Sequence, residues 1–255
     1  MPFSGGGGGI TFDEALSCEQ TFKDLGIIGG STGMLELPCS QRTTLTTPNI
    51  YRDTIGSGGF TASGAGLHIE GDATSEDKTW GWWLDGVDGS TVYTKVLAIG
   101  FQIVGLTREN TRGLWLSEEA GVADDTDLQD NFYLPWLYPG GADTSFYKRV
   151  NGTFTNFADE ASLIGCGNSG VGATSFATGA GVALGLGLYC DFPGNIQKAF
   201  MRFGSGSTWF EVMSTTDESL STGAKSFGFI GHKYGGATGP DGWNVAPLIA
   251  WGVEA

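Results

Sequence analysis

Residues 181–255 leave room for little besides short strands. Val182, Leu184, Leu186 and Leu188 alternate with Ala183, Gly185, Gly187 and Tyr189. The turn Phe192-Pro193-Gly194-Asn195 leads into 196–203, and Gly204-Ser205-Gly206-Ser207 breaks that run before 208–213. Two further apolar runs, 227–230 and 245–253, complete the pattern. Alternation bounded by Gly, Pro and Asn clusters marks half-buried strands of a meander or sandwich, because successive side chains of a strand point to opposite faces. Such a fold rarely carries catalytic machinery of its own, so function has to be sought on its loops and edges.

The same signals begin at residue 61. Segment 79–84 is rich in Trp, and 92–106 is the longest apolar-rich run, with Tyr93, Leu97, Ile99, Phe101 and Ile103 on one parity. Gly100 and Gly105 inside it read as bulges or bends. Segment 113–116 is another strand. Asn151-Gly152, between 146–150 and 153–157, is the strongest hairpin signal, because both turn positions need positive φ. Segments 117–144 and 158–180 lack a clear period and read as long loops. About ten to twelve strands with these turn spacings predict an all-β, two-sheet antiparallel sandwich over 61–255. The 44 glycines suit its turns and crowded strand positions.

Ahead of the sandwich, residues 1–9 read as a flexible arm. Its glycines Gly5, Gly6, Gly7, Gly8 and Gly9 carry the highest ordering cost of any residue, and with Phe3 they would order only against a partner. One short helix is expected over 12–25, with Ala15, Cys18, Phe22 and Leu25 at helical spacing, a capping box at Thr11 and Glu14, and Gly26 as C-cap. Residues 10–60 are accordingly read as a docking or peripheral segment.

The formal charge is −15, from 28 Asp and Glu against 13 Lys and Arg. An acidic surface without a basic patch repels phosphate backbones, so no nucleic-acid partner is expected. No stretch reaches the roughly 18 consecutive apolar residues of a membrane helix, and no membrane association is expected. Residues 1–9 have neither the basic nor the apolar region of a secretory signal, which predicts a protein made in a cytoplasm and retained there, or released by assembly or lysis. Cys18, Cys39, Cys166 and Cys190 lack zinc-ligand spacing and are expected to be buried thiols, although two disulfides could pair them in three ways.

Several constellations could carry chemistry. Glu70, Asp72 and Glu76 have the Glu-x-Asp-x-x-x-Glu spacing that resembles bulged family-16 glucanases, in which carboxylates at i and i+2 share one strand face. Here Gly71, Ala73, Thr74 and Ser75 read instead as a polar turn. Asp124, Asp125 and Asp127, with Asp130 nearby, could offer loop oxygens to Ca²⁺ but lack the Gly and Glu of an EF-hand loop, and no cofactor is required. His68 and His232 have no nucleophile elbow to serve, and the sequon Asn151-Gly152-Thr153 is explained by the hairpin turn. The eight Trp exceed what a core alone takes up. Trp82 and Trp83 are adjacent and must face opposite ways in a strand, and Tyr133, Trp136 and Tyr138 lie in an aromatic segment interrupted by Pro135 and Pro139. These five are the expected contacts for a glycan or a partner.

Phe200-Met201-Arg202-Phe203-Gly204-Ser205-Gly206-Ser207-Thr208-Trp209-Phe210-Glu211-Val212, Ser226-Phe227-Gly228-Phe229-Ile230-Gly231 and the closing run 248–253 resemble the C-terminal strands of concanavalin A-like jelly rolls in tailed-bacteriophage virion proteins. The resemblance covers 180–255 through strand and turn pattern, and 60–180 only through strand content. It implies a jelly-roll sandwich acting as a non-enzymatic virion structural protein, a capsid decoration or a tail or head appendage. Its implied partners are other virion proteins and further copies of itself, as a homo-oligomer such as a trimer, with the virion as its location. The alternatives are a carbohydrate-binding module or receptor-binding protein that recognises host polysaccharide, and a family-16-like glycoside hydrolase.

Overall fold

The computed structural model describes residues 12–29, 41–43, 50–53, 60–63, 66–70, 76–103, 110–120, 130–138, 143–160, 183–203, 208–233 and 242–255. One helix, α1 (Phe12–Asp24), precedes the strands β1 (Gln41–Thr43), β2 (Ile50–Asp53), β3 (Phe60–Ser63), β4 (Gly66–Glu70) and β5 (Glu76–Trp83). Then come β6 (Tyr93–Ile103), β7 (Asn110–Ser117), β8 (Phe132–Tyr138), β9 (Asp143–Val150) and β10 (Thr153–Glu160). The last five are β11 (Ala183–Asp191), β12 (Ile196–Phe203), β13 (Phe210–Thr216), β14 (Ser226–Lys233) and β15 (Gly242–Glu254).

They form two antiparallel sheets packed as a sandwich. The first runs β13-β12-β11-β6-β15-β4-β3, with β1 also on β15; the second runs β10-β9-β8-β7-β14-β5-β2. Between them lie Leu186, Leu188 and Met201 of the first sheet and Trp82, Leu114, Leu116, Tyr133, Phe146, Phe227 and Phe229 of the second. The period of two that predicts these strands also groups the residues that share one face of each sheet.

Both turns read from the sequence have the required backbone. Asn151 and Gly152 have φ of 49° and 76°, and Val150 pairs with Thr153 across them. Asn195 has φ 54°, and the Gly194 N–H donates to Asp191 Oδ1 at 2.9 Å in the β11–β12 turn. At Gly100 the register does shift, but the extra residue lies on β15, between Val245 and Leu248. Gly105 lies outside the described residues.

The helix ends where Gly26 was expected to stop it. Gly26 has φ 69°, its N–H donates to the Lys23 carbonyl at 2.9 Å, and the Ile27 N–H donates to Phe22 O at 2.8 Å. These two bonds satisfy carbonyls that a helix C-terminus leaves open, and Ile27 packs with Phe22 as such a cap favours. Cys18, Phe22, Ile27 and Ile28 are buried on the outer face of the first sheet against Leu97, Ile99, Phe101, Phe200, Trp209, Ile249 and Trp251. Gly185 and Gly187 leave room there for the Trp209 ring, which a Cβ at Gly185 would approach to 2.8 Å.

Within 10–60, β1 pairs with β15, β2 pairs with β5 and α1 covers a sheet face. One expectation needs correction. The segment 117–144 is not one long loop but contains β8 and the start of β9. Pro135 hid β8 from the sequence. It pairs with Phe146 on β9, while the β7–β8 register holds from Gly113↔Trp136 to Leu116↔Tyr133 but pairing lapses between them, beside the residue that has no N–H to donate. The arm residues Phe3 and Gly5 to Gly9, and Thr11, lie outside the described residues.

Candidate functional site

The outer face of the second sheet is built by the alternate residues of β7 to β10. On β8 the outward positions are Phe132, Leu134 and Trp136; on β9 they are Ser145, Tyr147 and Arg149; on β10, Phe154 and Asn156. Register sets Phe154 across from Arg149 and Arg149 across from Phe132, and in the next row Asn156 across from Tyr147 and Tyr147 across from Leu134. The result is a continuous aromatic stripe. Ring centroids are 6.3 Å apart for Trp136 and Tyr147, 6.5 Å for Tyr147 and Phe154, 5.6 Å for Phe154 and Phe132, and 6.5 Å for Phe132 and Trp115.

The stripe has a buried root and an accessible tip. Trp115, Phe132, Leu134 and Ile230 are buried, whereas Trp136 and Tyr147 are half-buried and Phe154 is 42% exposed. Gly81 and Gly113 keep the root flat. A Cβ on Gly81 would run into the Trp115 ring and come within 2.7 Å of the Phe227 carbonyl, and one on Gly113 would strike Leu134. The Arg149 guanidinium lies over Phe154, 5.4 Å from its centroid. Its Nε–H donates to Gly152 O at 3.0 Å, and it pairs with Asp130 at 3.7 Å.

Hydrogen bonds lock the β9–β10 turn to the start of β8. Asn151 N–H donates to Asn131 Oδ1 at 3.0 Å, Gly152 N–H to Asp130 O at 3.2 Å, and Asn131 Nδ2 to Glu119 Oε1 at 2.7 Å. Residues 118–120 cross the same face further along. Ser226 Oγ donates to Glu119 O and Trp83 Nε1 to Ala120 O, both at 2.6 Å. Beside them Asp85 holds its loop together by accepting the N–H groups of Val87 and Gly89 at 3.0 Å and Thr91 at 3.1 Å. Burial pushes the Asp85 carboxyl up, but those N–H bonds outweigh it and hold it below the usual carboxylate range.

The expected contact residues separate accordingly. Trp136 belongs to the accessible stripe. Trp82 and Tyr133 do not, because their strand parity turns them into the core, where they are 1% and 0% exposed. Trp83 shares the outer face but stands on β5, three strands from β8, and is tied down by Ala120. Tyr138 closes β8, opposite Asp143. Tyr147, Arg149 and Phe154 were missed. Alternation about the Asn151-Gly152 turn already pairs Arg149 with Phe154, but Phe146 beside Tyr147, and Phe157 beyond Phe154, made the outward parity unreadable.

Tyr133 has another role. Its hydroxyl donates to Asp217 Oδ1 at 2.7 Å, and Lys148 Nζ donates to the other oxygen of that carboxylate and to Ser219 Oγ at 2.6 Å. Gln197 Nε2 donates to Asp217 O at 3.0 Å, so this clasp joins β8, β9 and β12 to the segment after β13. Burial, then the bond to Asp217, drives the Tyr133 hydroxyl well above its ordinary value. Burial also raises the Asp217 carboxyl, but bonds from Lys148, Tyr133 and Ser219 prevail and lower it.

The other candidates do not assemble in the described residues. Glu70 ends β4 in the first sheet and Glu76 begins β5 in the second, while Asp72 lies outside the described residues. His68 and His232 are likewise on strands of different sheets. Among the described residues no group of three or more His, Cys, Asp or Glu could hold a metal ion. Asp124, Asp125 and Asp127 lie outside the described residues. Cys18 and Cys190 are buried thiols, and burial raises Cys190 well above its ordinary value; Cys39 and Cys166 lie outside the described residues. No helix among the described residues is long and apolar enough to cross a membrane.

No protein-family model matches the chain, and no curated protein matches it in sequence. Solved structures do match in fold. The exoplasmic/lumenal domain of VIP36, solved with Ca²⁺ and Man3GlcNAc, is 11% identical with a TM-score of 0.55, over 86% of this chain and 92% of that one. A Bacillus subtilis protein of unknown function with a galectin-like fold is 11% identical with a TM-score of 0.50, over 85% and 96%. The CBM2 module of the evolved Dit of Lactobacillus casei BL23 phage J-1 is 10% identical with a TM-score of 0.50, over 84% and 96%. The chain is thus an all-β, two-sheet antiparallel sandwich of the galectin-like, jelly-roll kind, with one short helix.

Proposed function

We propose that this protein is a non-enzymatic carbohydrate-binding β-sandwich whose ligand sits on the aromatic stripe of the second sheet. The observation that carries the reading is the accessible tip, Trp136, Tyr147 and Phe154, held on three adjacent strands with Asn156 and Arg149 beside it. The electron-rich face of an aromatic ring attracts the C–H groups on the apolar side of a sugar, while amide and guanidinium groups at the rim can bond its hydroxyls. The VIP36 domain, solved with Man3GlcNAc bound, and the CBM2 module of the phage Dit, which share the fold, support the same reading. The test is an array of plant, fungal and bacterial surface glycans probed with wild type and with Phe154→Ala. Retention of wild type at defined glycans, at least tenfold weaker in the variant, is expected; equal retention of both would move the site elsewhere.

A second reading places this activity in a phage particle, as a decoration protein or a tail or head appendage. It is supported by the phage Dit module of the same fold and by the exposed, uncharged edge 153–156 of β10, which offers a strand to a neighbouring subunit. The solution mass and particle association of the chain with and without residues 1–9 test it. Loss of association with the sandwich still folded is expected, and normal association of the truncated protein would remove the arm from that role.

A further inference from the structure

We infer that the stripe takes an uncharged polysaccharide as a single free chain, and neither an acidic glycan nor the flat face of a packed, insoluble one. The inference rests on the glycan-binding reading above and deepens it. Two independent features carry it: how the rings are tilted, and how the charge around them is already used.

Stacking on the flat surface of a crystalline polymer requires several rings in one plane. These rings do not share a plane. Trp136 and Tyr147 are inclined by 61°, Tyr147 and Phe154 by 77°, and Phe154 and Phe132 by 79°. Hydrogen bonds at the β9–β10 turn and ring-on-edge packing hold this arrangement, so flattening it would break contacts on three strands. Tilted rings instead form a stepped surface. One chain free to turn about its glycosidic bonds can follow it, each sugar meeting a ring face or edge in turn.

The charge around the tip is committed within the protein. Among the described residues Arg149 is the cation beside the rings; its charge is balanced by Asp130, its Nε–H bonds the Gly152 carbonyl and its guanidinium lies over the Phe154 face. Lys148 comes next in the strand but points to the opposite face, where Asp217 holds it. An acidic glycan would therefore meet the 60%-exposed Asp130 carboxylate and a chain of net charge −15, with no further cation at the stripe among the described residues to offset them. A hydroxyl-only glycan meets no such repulsion, and Asn156, across from Tyr147, is an exposed uncharged neighbour of the rings.

Affinity electrophoresis separates the outcomes. The full chain is run in native gels containing xyloglucan, galactomannan, yeast mannan or dextran as uncharged probes, and polygalacturonate, alginate or hyaluronan as acidic ones. It is also pelleted with microcrystalline cellulose and crystalline chitin. Retardation by at least one uncharged probe, unchanged between low and high salt, is expected, with no retardation by acidic probes and no pelleting. Trp136→Ala and Phe154→Ala should each weaken retardation at least tenfold. Phe154→Ala, at an exposed edge position, guards against a folding defect in the other variant. Retardation by an acidic probe that fades with salt, or pelleting with either crystal, would overturn the inference and leave glycan binding standing. Retention on none of the probes, with the protein folded, would overturn both.

Discussion

The two sheets have the same problem on their outer faces and solve it differently. Each places large apolar side chains outward as well as inward, because neighbouring residues of both parities are apolar. On the first sheet the chain covers its own face: Cys18 and Phe22 of α1, with Ile27 and Ile28 just after it, lie over Phe200, Trp209 and Trp251, and every one of these is buried. On the second sheet the root of the stripe is buried but its tip at Trp136, Tyr147 and Phe154 is accessible. An apolar face closed by its own chain contributes stability; one left accessible is a candidate for an external ligand. The comparison teaches where in this sandwich burial by its own chain ends.

The largest effect should come from uncovering the closed face. Phe22 is fully buried, 5.3 Å from the Phe200 ring and 5.1 Å from Trp209. Phe22→Ala should cost about 3–5 kcal/mol in chemical denaturation, the usual range for a buried Phe. A loss below about 1 kcal/mol would mean that the helix is a removable appendage, and the contrast between the faces would collapse.

A middle-sized effect is expected at the clasp that joins the open face's strands to the other sheet. Lys148→Met removes the cation from Asp217 and leaves a mostly buried carboxylate, at a cost of about 1–3 kcal/mol. The pH dependence has a definite sign. Because the folded Asp217 carboxyl is held below its ordinary value, its stabilisation is complete above the unfolded value of about 3.9 and fades as pH falls through the folded value. Thermal melts of wild type and Asp217→Asn should therefore converge on acidification below about pH 4. A gap that stays constant from neutral to acidic pH would show that the charge of Asp217 is not what the clasp uses.

The smallest effect on stability belongs to the accessible tip. Phe154→Ala should change unfolding free energy by no more than about 0.5–1 kcal/mol, since the ring is on an edge strand and gives up only part of its contacts. A cost like that of Phe22→Ala would class the stripe with the closed face, as packing rather than a surface for recognition.

Much of the architecture was legible because it is written in local chemistry. Asn151-Gly152 could hardly do other than turn, Gly26 ends the helix with the two hydrogen bonds that a positive φ permits, and the alternation at 183–189 is a strand in any setting. β8 was not legible, because Pro135 denies a hydrogen bond and only the lapse in its pairing with β7 shows how a strand accommodates it. The accessible stripe was only partly legible: Trp136 lies on it, whereas Trp82 and Tyr133 lie in the core, and Tyr147, Arg149 and Phe154 carried no local signal of their outward parity. A residue's type signals that it can stack on a sugar; it does not signal which side of its strand faces water.

The sequence alone determined the elements: strands where apolar and small residues alternate, turns where backbone φ must be positive, one capped helix, and the net charge of −15. Tertiary structure alone decided the faces. Where both parities of a strand are apolar, nothing local distinguishes inward from outward. That choice is made by what the neighbouring strands and α1 cover, and by glycines such as Gly81 and Gly185 that give way to a ring from another strand or loop. Burial is a property of the assembled sheets, and so, for the same reason, is the place where a ligand can bind.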